Sequence, residues 1–535
     1  MAKPTYSFTT PIYYVNAAPH LGTAYTTVAA DTVARYQRMN GYDVAFVTGL
    51  DEHGQKVAET AESHGMTPQE WCDSMVPAFK ETWDMLGITY TDFVRTTEDR
   101  QTKTVQKFWS ELYDKGYLYK SAYEGWYCVH EETYYAESDL EKNDEGEFVC
   151  PDCKRPVRRV SGEENWFFKL SEFQEPLLKY YEEHPDYIRP VTRRNEVVSF
   201  VKRGLQDLSI SRSTFDWGIP LPFDEGHVCY VWADALLAYL TGIGYGNDED
   251  RAGEFDARWP MQYHFVGKDI TRFHCVIWPA MLMAAGLPIA NTVFGHGFLL
   301  TKGEKMSKSK GNGVMPADLV GVFGVDAYRY YFMNDVRFGQ DGDISMERMV
   351  QVYNADLANT WGNLVSRVPG MNAKYFDGVV PAIDEAGMAE DVAKAREILA
   401  DNPLKALAEG LYERFDAAMT DVDFTTASGY AMELAHRANL YIDETEPFRM
   451  AKDPQRRNEL AAVMYNLLEA IRIIALFLAP WMPNTSAETW KRLGLDIASV
   501  DNIAQASVWG GLPAGNVVEK GEALFPRLEE IPELG

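Results

Sequence analysis

The stretch YSFTTPIYYVNAAPHLGTAYTTVAADTVARYQRMNGYDVAFVTGLD, from Tyr6 to Asp51, decides the fold. Tyr6 to Thr10 is a short β-prone run, and Pro11 to Pro19 is an irregular loop holding two prolines. From Thr23 the apolar and small residues fall at Tyr25, Val28, Ala29, Thr32, Val33 and Tyr36. That is helical spacing, and Asn40-Gly41 supplies a stop. Val44 to Leu50 then reads as a buried parallel strand ending at Asp51. The unit is β-α-β, and ligands of such sheets bind beyond the carboxyl ends of the strands.

Outward from this unit the pattern recurs once. Tyr263 to Val266, a helix running through Trp278 to Ala285, and Thr292 to Phe298 repeat it. Between the halves, Gly116 to Cys229 is richer in Cys, Gly and charge, and an inserted domain accounts for it. After Asp343 the signal changes to long helical stretches without strand partners: Val350–Val368, Leu404–Thr420, Ser428–Asp443 and Asn458–Leu478. The expected class is α/β, a Rossmann-like parallel sheet split by an insertion and followed by an α-helical bundle. In residues, the first half is 1–115, the insertion 116–227, the second half 228–342, a linker 343–390, and the bundle with an irregular tail 391–535.

The 535 residues are 46% hydrophobic and 24% charged, which excludes disorder as the dominant state. A net charge of −28 repels polyanions and anionic membranes on average, so any nucleic-acid contact must use local basic patches. Met1 to Val15 lacks the apolar core of a secretory signal. Ile471 to Pro483, interrupted by Arg472, is shorter than the ~20 residues of a membrane span. Six cysteines in so long a chain do not make a disulfide scaffold. A cytoplasmic location and no membrane partner are expected.

Two short motifs carry chemistry. Pro19-His20-Leu21-Gly22-Thr23 joins the first strand to its helix, where a His beside free backbone N–H groups can donate to phosphate oxygens and Gly22 permits close approach. Lys305-Met306-Ser307-Lys308-Ser309 lies on a loop with Gly303, Gly311 and Gly313, and two lysines there can neutralise a departing pyrophosphate. The chain thus resembles the class I aminoacyl-tRNA synthetases and, among them, the methionyl-tRNA synthetases, with Thr23 in place of the last His of the commoner first motif. Further stretches carry the same resemblance: Phe8 to Tyr14, Thr48 to Gly54, Tyr230 to Ala235, Val266 to Ile270 with Phe273-His274, and Gly295 to Gly297. It runs from about residue 5 to Arg527.

The resemblance implies a methionine–tRNA ligase that activates methionine with ATP and Mg²⁺ to methionyl-adenylate and transfers it to tRNA(Met), serving elongation and initiation of translation. It implies that His20, Lys305 and Lys308 are catalytic, and that Gly22, Thr23, Asp269, Gly295 and His296 help hold ATP. Asp51 would pair with the substrate ammonium. Ile12, Tyr14, Trp232, Ala235, Tyr239, Ile270 and His274 would line the methionine pocket, whose form Leu236 and Ala238 alter. Asn363, Arg367 and Phe448 would read the anticodon; many relatives end in a dimerising domain, and with the chain ending soon after Arg527 a monomer is expected.

The insertion also holds Cys128 and the pair Cys150 and Cys153, half of a zinc knuckle whose other half is broken by Glu131. Three thiolates with His130 or Glu131 as fourth ligand could bind Zn²⁺. A metal-free knuckle with buried thiols is the alternative reading.

Overall fold

A computed structural model describes the chain except residues 1–2, 130–132, 136, 138–139, 144, 152, 302, 306–313 and 533–535, and except the side chains at 123–124, 133–134, 161–163, 248 and 304–305. The first half supplies β1 (Thr5–Tyr14), α1 (Leu21–Met39), β2 (Asp43–Asp51) and β3 (Asp92–Arg95). The insertion supplies β4 (Leu118–Cys128), β5 (Thr133–Tyr135), β6 (Arg158–Phe168), β7 (Ile188–Arg189) and β8 (Leu208–Ser209). The second half opens with a short helix α2 (Val231–Ala235) and continues with β9 (Tyr263–Gly267) and β10 (Thr292–His296).

The principal sheet has the order β3-β2-β1-β9-β10-β7, with every pair parallel. The chain builds it outward from β1 in one direction, then returns to build the other side. The order therefore reverses between β1 and β9, and a crevice opens at their carboxyl ends. Phe8, Val44, Phe46, Phe265 and Phe294 are buried, as strands covered on both faces require. The insertion folds mainly as an antiparallel sheet, β8-β6-β4-β5, but it also contributes β7 to the edge of the principal sheet. It is thus stitched into the α/β layer by main-chain pairing with β10 at Val293 and Phe294.

The last third is helical, with α3 (Val325–Asn334) leading into α4 (Asn363–Phe376), α5 (Phe424–Thr445) and α6 (Arg457–Leu478). Helix α6 is buried on all sides. Its apolar character extends further than the Ile471–Pro483 run implied, since Pro454–Leu478 is long and apolar enough to cross a membrane. Of its most apolar window, 94% is buried inside the protein, so it is the core helix of the bundle. Arg472 is tolerated there because it donates to Glu469 at 2.6 and 2.9 Å. Glu469 in turn accepts from the N–H groups of Gly510, Gly511 and Leu512, which ties the tail to the bundle.

Bundle and α/β layer share one hydrophobic core. At its centre Asp31 of α1 pairs with Arg329 of α3 at 2.7 Å, with both side chains fully buried. Arg329 also donates to the carbonyls of Leu86, Pro480 and Trp481. Burial alone would raise the Asp31 carboxyl; the Arg329 and Arg35 guanidiniums hold it below the usual carboxylate range. Arg329→Met should lower stability by about 3–5 kcal/mol, because it strands a buried carboxylate. Adding Asp31→Asn to that variant should recover part of the loss, as read by chemical denaturation.

Candidate active site

His20 caps α1. Its Nδ1 accepts from the N–H groups of Gly22 at 3.0 Å and Thr23 at 3.3 Å, while Thr23 Oγ1 accepts from the His20 N–H at 3.0 Å. Two of the backbone donors that the sequence reading left free for phosphate are therefore taken by the cap. The consequence is chemical. A nitrogen that accepts twice carries no proton, so the imidazole proton resides on Nε2. The cap converts backbone donors into one aimed side-chain donor on an exposed residue.

Three further histidines, on β9, just after it and at the carboxyl end of β10, are buried and locked as neutral rings. His274 Nδ1 meets the Ile270 carbonyl at 3.0 Å and can only donate there, so Nε2 accepts from the Tyr239 hydroxyl at 2.6 Å. Burial pushes its pKa down to about 4. His264 Nε2 accepts from Trp278 Nε1, which leaves Nδ1–H for Thr9 Oγ1 at 2.7 Å, and burial pushes its pKa well down. His296 Nδ1 donates to the Gly297 carbonyl and Nε2 meets Thr26 Oγ1 of α1 at 2.6 Å. Burial lowers His296 as well, while Asp269 nearby opposes that shift.

The residues expected around methionine converge. Tyr14 and Asp51 face each other in register at the ends of β1 and β2, and Asp51 is 2% exposed. Burial raises the Tyr239 phenol, and the charges of Tyr13 and Asp51 add to the rise. Trp232 of α2 stacks on Phe273 with centroids 3.8 Å apart and meets His274 edge-on at 6.4 Å. Its Nε1 is buried and has no hydrogen-bond partner among the described residues. Ala235 lies on the same helix, Ile12 is buried on β1, and Ile270 supplies the carbonyl that fixes His274.

The residues expected around ATP divide into two sets. His20, Gly22 and Thr23 form the cap, and His296 with Asp269 meets the same helix through Thr26. Gly295 is a packing requirement, since a Cβ there would lie 2.6 Å from Thr271 Cγ2. Lys305 sits on a two-residue strand paired with Leu300, and Lys308 lies outside the described residues.

Residues 6–369 match the family model described as tRNA synthetases class I (M), and residues 404–522 match the anticodon-binding domain of tRNA ligase. A methionine–tRNA ligase of Streptomyces coelicolor is 48% identical over 538 residues, covering 98% of this chain and 97% of the relative. That of Caldanaerobacter subterraneus subsp. tengcongensis is 47% identical over 534 residues, 99% of this chain and 80% of the relative. Among solved structures, Mycobacterium tuberculosis methionyl-tRNA synthetase in complex with methionyl-adenylate matches with a TM-score of 0.90 at 38% identity, over 98% of this chain and 100% of that one. The chain belongs to the class I methionine–tRNA ligases.

As a member of that family it joins methionine to tRNA at the expense of ATP. Its remaining expected sites lie away from the crevice. Phe448 is 41% exposed, just after Pro447 starts a short helix, and is therefore not bundle core. Asn363 at the start of α4 is exposed and donates to Asn439 of α5, and Arg367 lies 3.5 Å from Asp443. In the insertion the Sγ atoms of Cys128, Cys150 and Cys153 lie within 4.8 Å of one another, which suits three corners of a tetrahedral thiolate site. His130 and Glu131 lie outside the described residues.

Sequence reading missed His53, Asp234, His264 and Trp278. All four stand in or beside the matched stretches, but their roles rest on partners far along the chain. The pH dependence follows from the buried rings. His274 takes a proton near pH 4 when folded and near 6.5 when unfolded, so the unfolded state binds more protons between those values. Stability should be flat in this respect above pH 6.5. Below it, this residue should remove about 1.4 kcal/mol per pH unit down to about pH 4. His274→Gln should shallow the acid limb of a stability–pH profile measured by chemical denaturation.

Proposed function

We propose that methionine activation occurs in the crevice between β1 and β9, with the substrate ammonium on Asp51 and the thioether side chain among Ile12, Tyr14, Trp232, Ala235, Tyr239, Ile270 and His274. The observation that carries this reading is that Trp232 and Tyr239 both meet His274, while Asp51 ends β2 in register with Tyr14 at the crevice. An aromatic wall suits a polarizable thioether. Attack of the carboxylate on the α-phosphate needs no enzyme nucleophile. It needs two anions held together and the developing negative charge met by fixed donors.

His20 Nε2–H is such a donor, and it is neutral, so it does not pair with the carboxylate it must let react. Lys305 and Lys308 meet the leaving pyrophosphate with the Mg²⁺ that accompanies ATP. Asp269, Gly295 and His296 border the adenosine; His296, held by Thr26 and Gly297, acts there by positioning α1. Asn363, Arg367 and Phe448 read the anticodon of tRNA(Met), where amides and guanidinium contact base edges and the ring stacks. Both ends of the tRNA meet one chain, so the reaction requires no second copy, and we assign a cytoplasmic monomer. ATP–pyrophosphate exchange assayed against each amino acid tests the reading: methionine should support it, and Asp51→Ala or Trp232→Ala should raise the KM for methionine. Unchanged KM values would overturn the assignment of the pocket.

Phe448→Ala should lower tRNA charging by roughly ten- to a hundredfold, because stacking one base on an aromatic is worth ~1–3 kcal/mol. Exchange and thermal stability should be unaffected in the same variant. The three thiols support a zinc site whose fourth ligand is His130 or Glu131, and whose role is to hold the knuckle together. Elemental analysis of the purified protein should find about one zinc per chain. The Cys150→Ser, Cys153→Ser double variant should lose it.

A further inference from the structure

Two of the matched stretches, Thr48 to Gly54 and Tyr230 to Ala235, contain polar residues that the reaction does not use, and the fold brings them together. His53 Nδ1 lies 2.6 Å from Asp234 Oδ2, with both side chains nearly inaccessible. A carboxylate only accepts, so Nδ1 carries the proton. The other oxygen of Asp234 accepts from Gln101 Nε2 at 2.7 Å, and Gln101 Oε1 accepts from Thr241 Oγ1. The imidazole also packs edge-on to Trp217, whose Nε1 donates to the carbonyl of Glu52 at 2.6 Å. Glu52 is held in turn by Arg95 and Thr97. The turn after β2 and the helix α2 are thus each braced from behind, and the His53–Asp234 bond joins them.

What the bond joins is informative. His53 follows Asp51 by two residues, and Asp234 follows Trp232 by two and precedes Ala235. Asp51 is assigned to the ammonium of methionine, Trp232 and Ala235 to its side chain. The geometry points to His53 and Asp234 as a positioning pair that sets the spacing between the ammonium site and the side-chain pocket, so that one rigid amino acid length is accepted at both ends. This rests on the methionine-site reading above. A buried, hydrogen-bonded polar pair serves such a purpose better than an apolar contact, because its bond length and direction are fixed.

The test is steady-state ATP–pyrophosphate exchange with the full chain, together with inhibition by methioninol, which keeps the ammonium and side chain but lacks the carboxylate. His53→Ala should raise the KM for methionine and the inhibition constant of methioninol together, by roughly tenfold or more, with the KM for ATP unchanged; such a split marks lost binding of one substrate. His53→Asn, which can still donate to Asp234, should stay within about threefold of the parent on the same measure. Gln101→Leu, which loosens Asp234 from its other side, gives a second route should His53→Ala fold poorly, and should shift the same two constants in the same direction. The inference is overturned if His53→Ala and Gln101→Leu keep the parent constants, if His53→Asn is as impaired as His53→Ala, or if both substrates' KM values rise together with a fall in melting temperature. Asp51→Ala and Trp232→Ala run alongside: if they too leave the methionine KM unchanged, the pocket assignment fails, whereas if they raise it and His53→Ala does not, only the positioning role fails.

Discussion

The buried pair between Asp31 and Arg329 is the contact on which the rest of the architecture turns. Helix α1 carries the His20 cap at one end and Asp31 in its middle, so whatever fixes Asp31 helps fix where His20 lies. Arg329 reaches that carboxylate from α3 and spends its other donors on carbonyls at Leu86, Pro480 and Trp481. A guanidinium can do this because its donors lie in one plane and point in several directions, which an ammonium cannot reproduce. The same side chain thereby binds helix α1, the first α/β half and the end of the core helix of the bundle. Tyr36, further along α1, adds a hydrogen bond to Asp416 and ring contact with Phe415 of the bundle. The two modules share a core, and the helix between them is the element both depend on.

Around the crevice the recurring device is a neutral histidine whose two ring nitrogens have assigned tasks. At His20 the cap takes Nδ1 and sets the proton on Nε2. At His274 and His296 a backbone carbonyl takes Nδ1–H and leaves Nε2 to accept, from Tyr239 and Thr26 respectively. Burial disfavours the charged ring at both. The protein thus places donors and acceptors at the crevice without adding positive charge near Asp51, the residue proposed to meet the ammonium.

Much of this was legible in the chain because its signals are local. Periodicity and an unbroken apolar run give β1, α1 and β2, and the reversal of strand order then puts Asp51, His20 and Gly295 near one crevice. Exposure of Phe448 follows from Pro447, which fixes the backbone ahead of it. What escaped the sequence depends on partners distant along the chain. Arg329 reads as an ordinary helix residue until Asp31 and three carbonyls surround it. Arg472 reads as an interruption of an apolar run, although Glu469 one turn earlier neutralises it and lets the helix remain buried. The insertion reads as separate, and only the pairing of Ile188 and Arg189 with β10 shows that it helps build the principal sheet. The free N–H groups expected at α1 were claimed by the residue proposed to work beside them, a competition that composition alone does not display.

The chain's net charge of −28 bears on how such a site handles polyanions. A broad basic surface would bind any nucleic acid and leave selection to chance, since phosphate contacts carry no sequence information. Here the field opposes RNA on average, so association must be earned at particular places. The exposed face of α4 and α5 illustrates the point, for Arg367 lies near Asp443 and Arg437 donates to Glu444. Both of these guanidiniums already have an acidic neighbour, and an RNA phosphate would have to displace it. The Asn363 amide there is held by the neutral Asn439 side chain, and Phe448 is exposed, so neither faces an acidic competitor. Under the anticodon reading proposed above, recognition would rest on base edges and faces more than on backbone charge, which is the condition under which an anticodon, and not merely a tRNA, can be chosen.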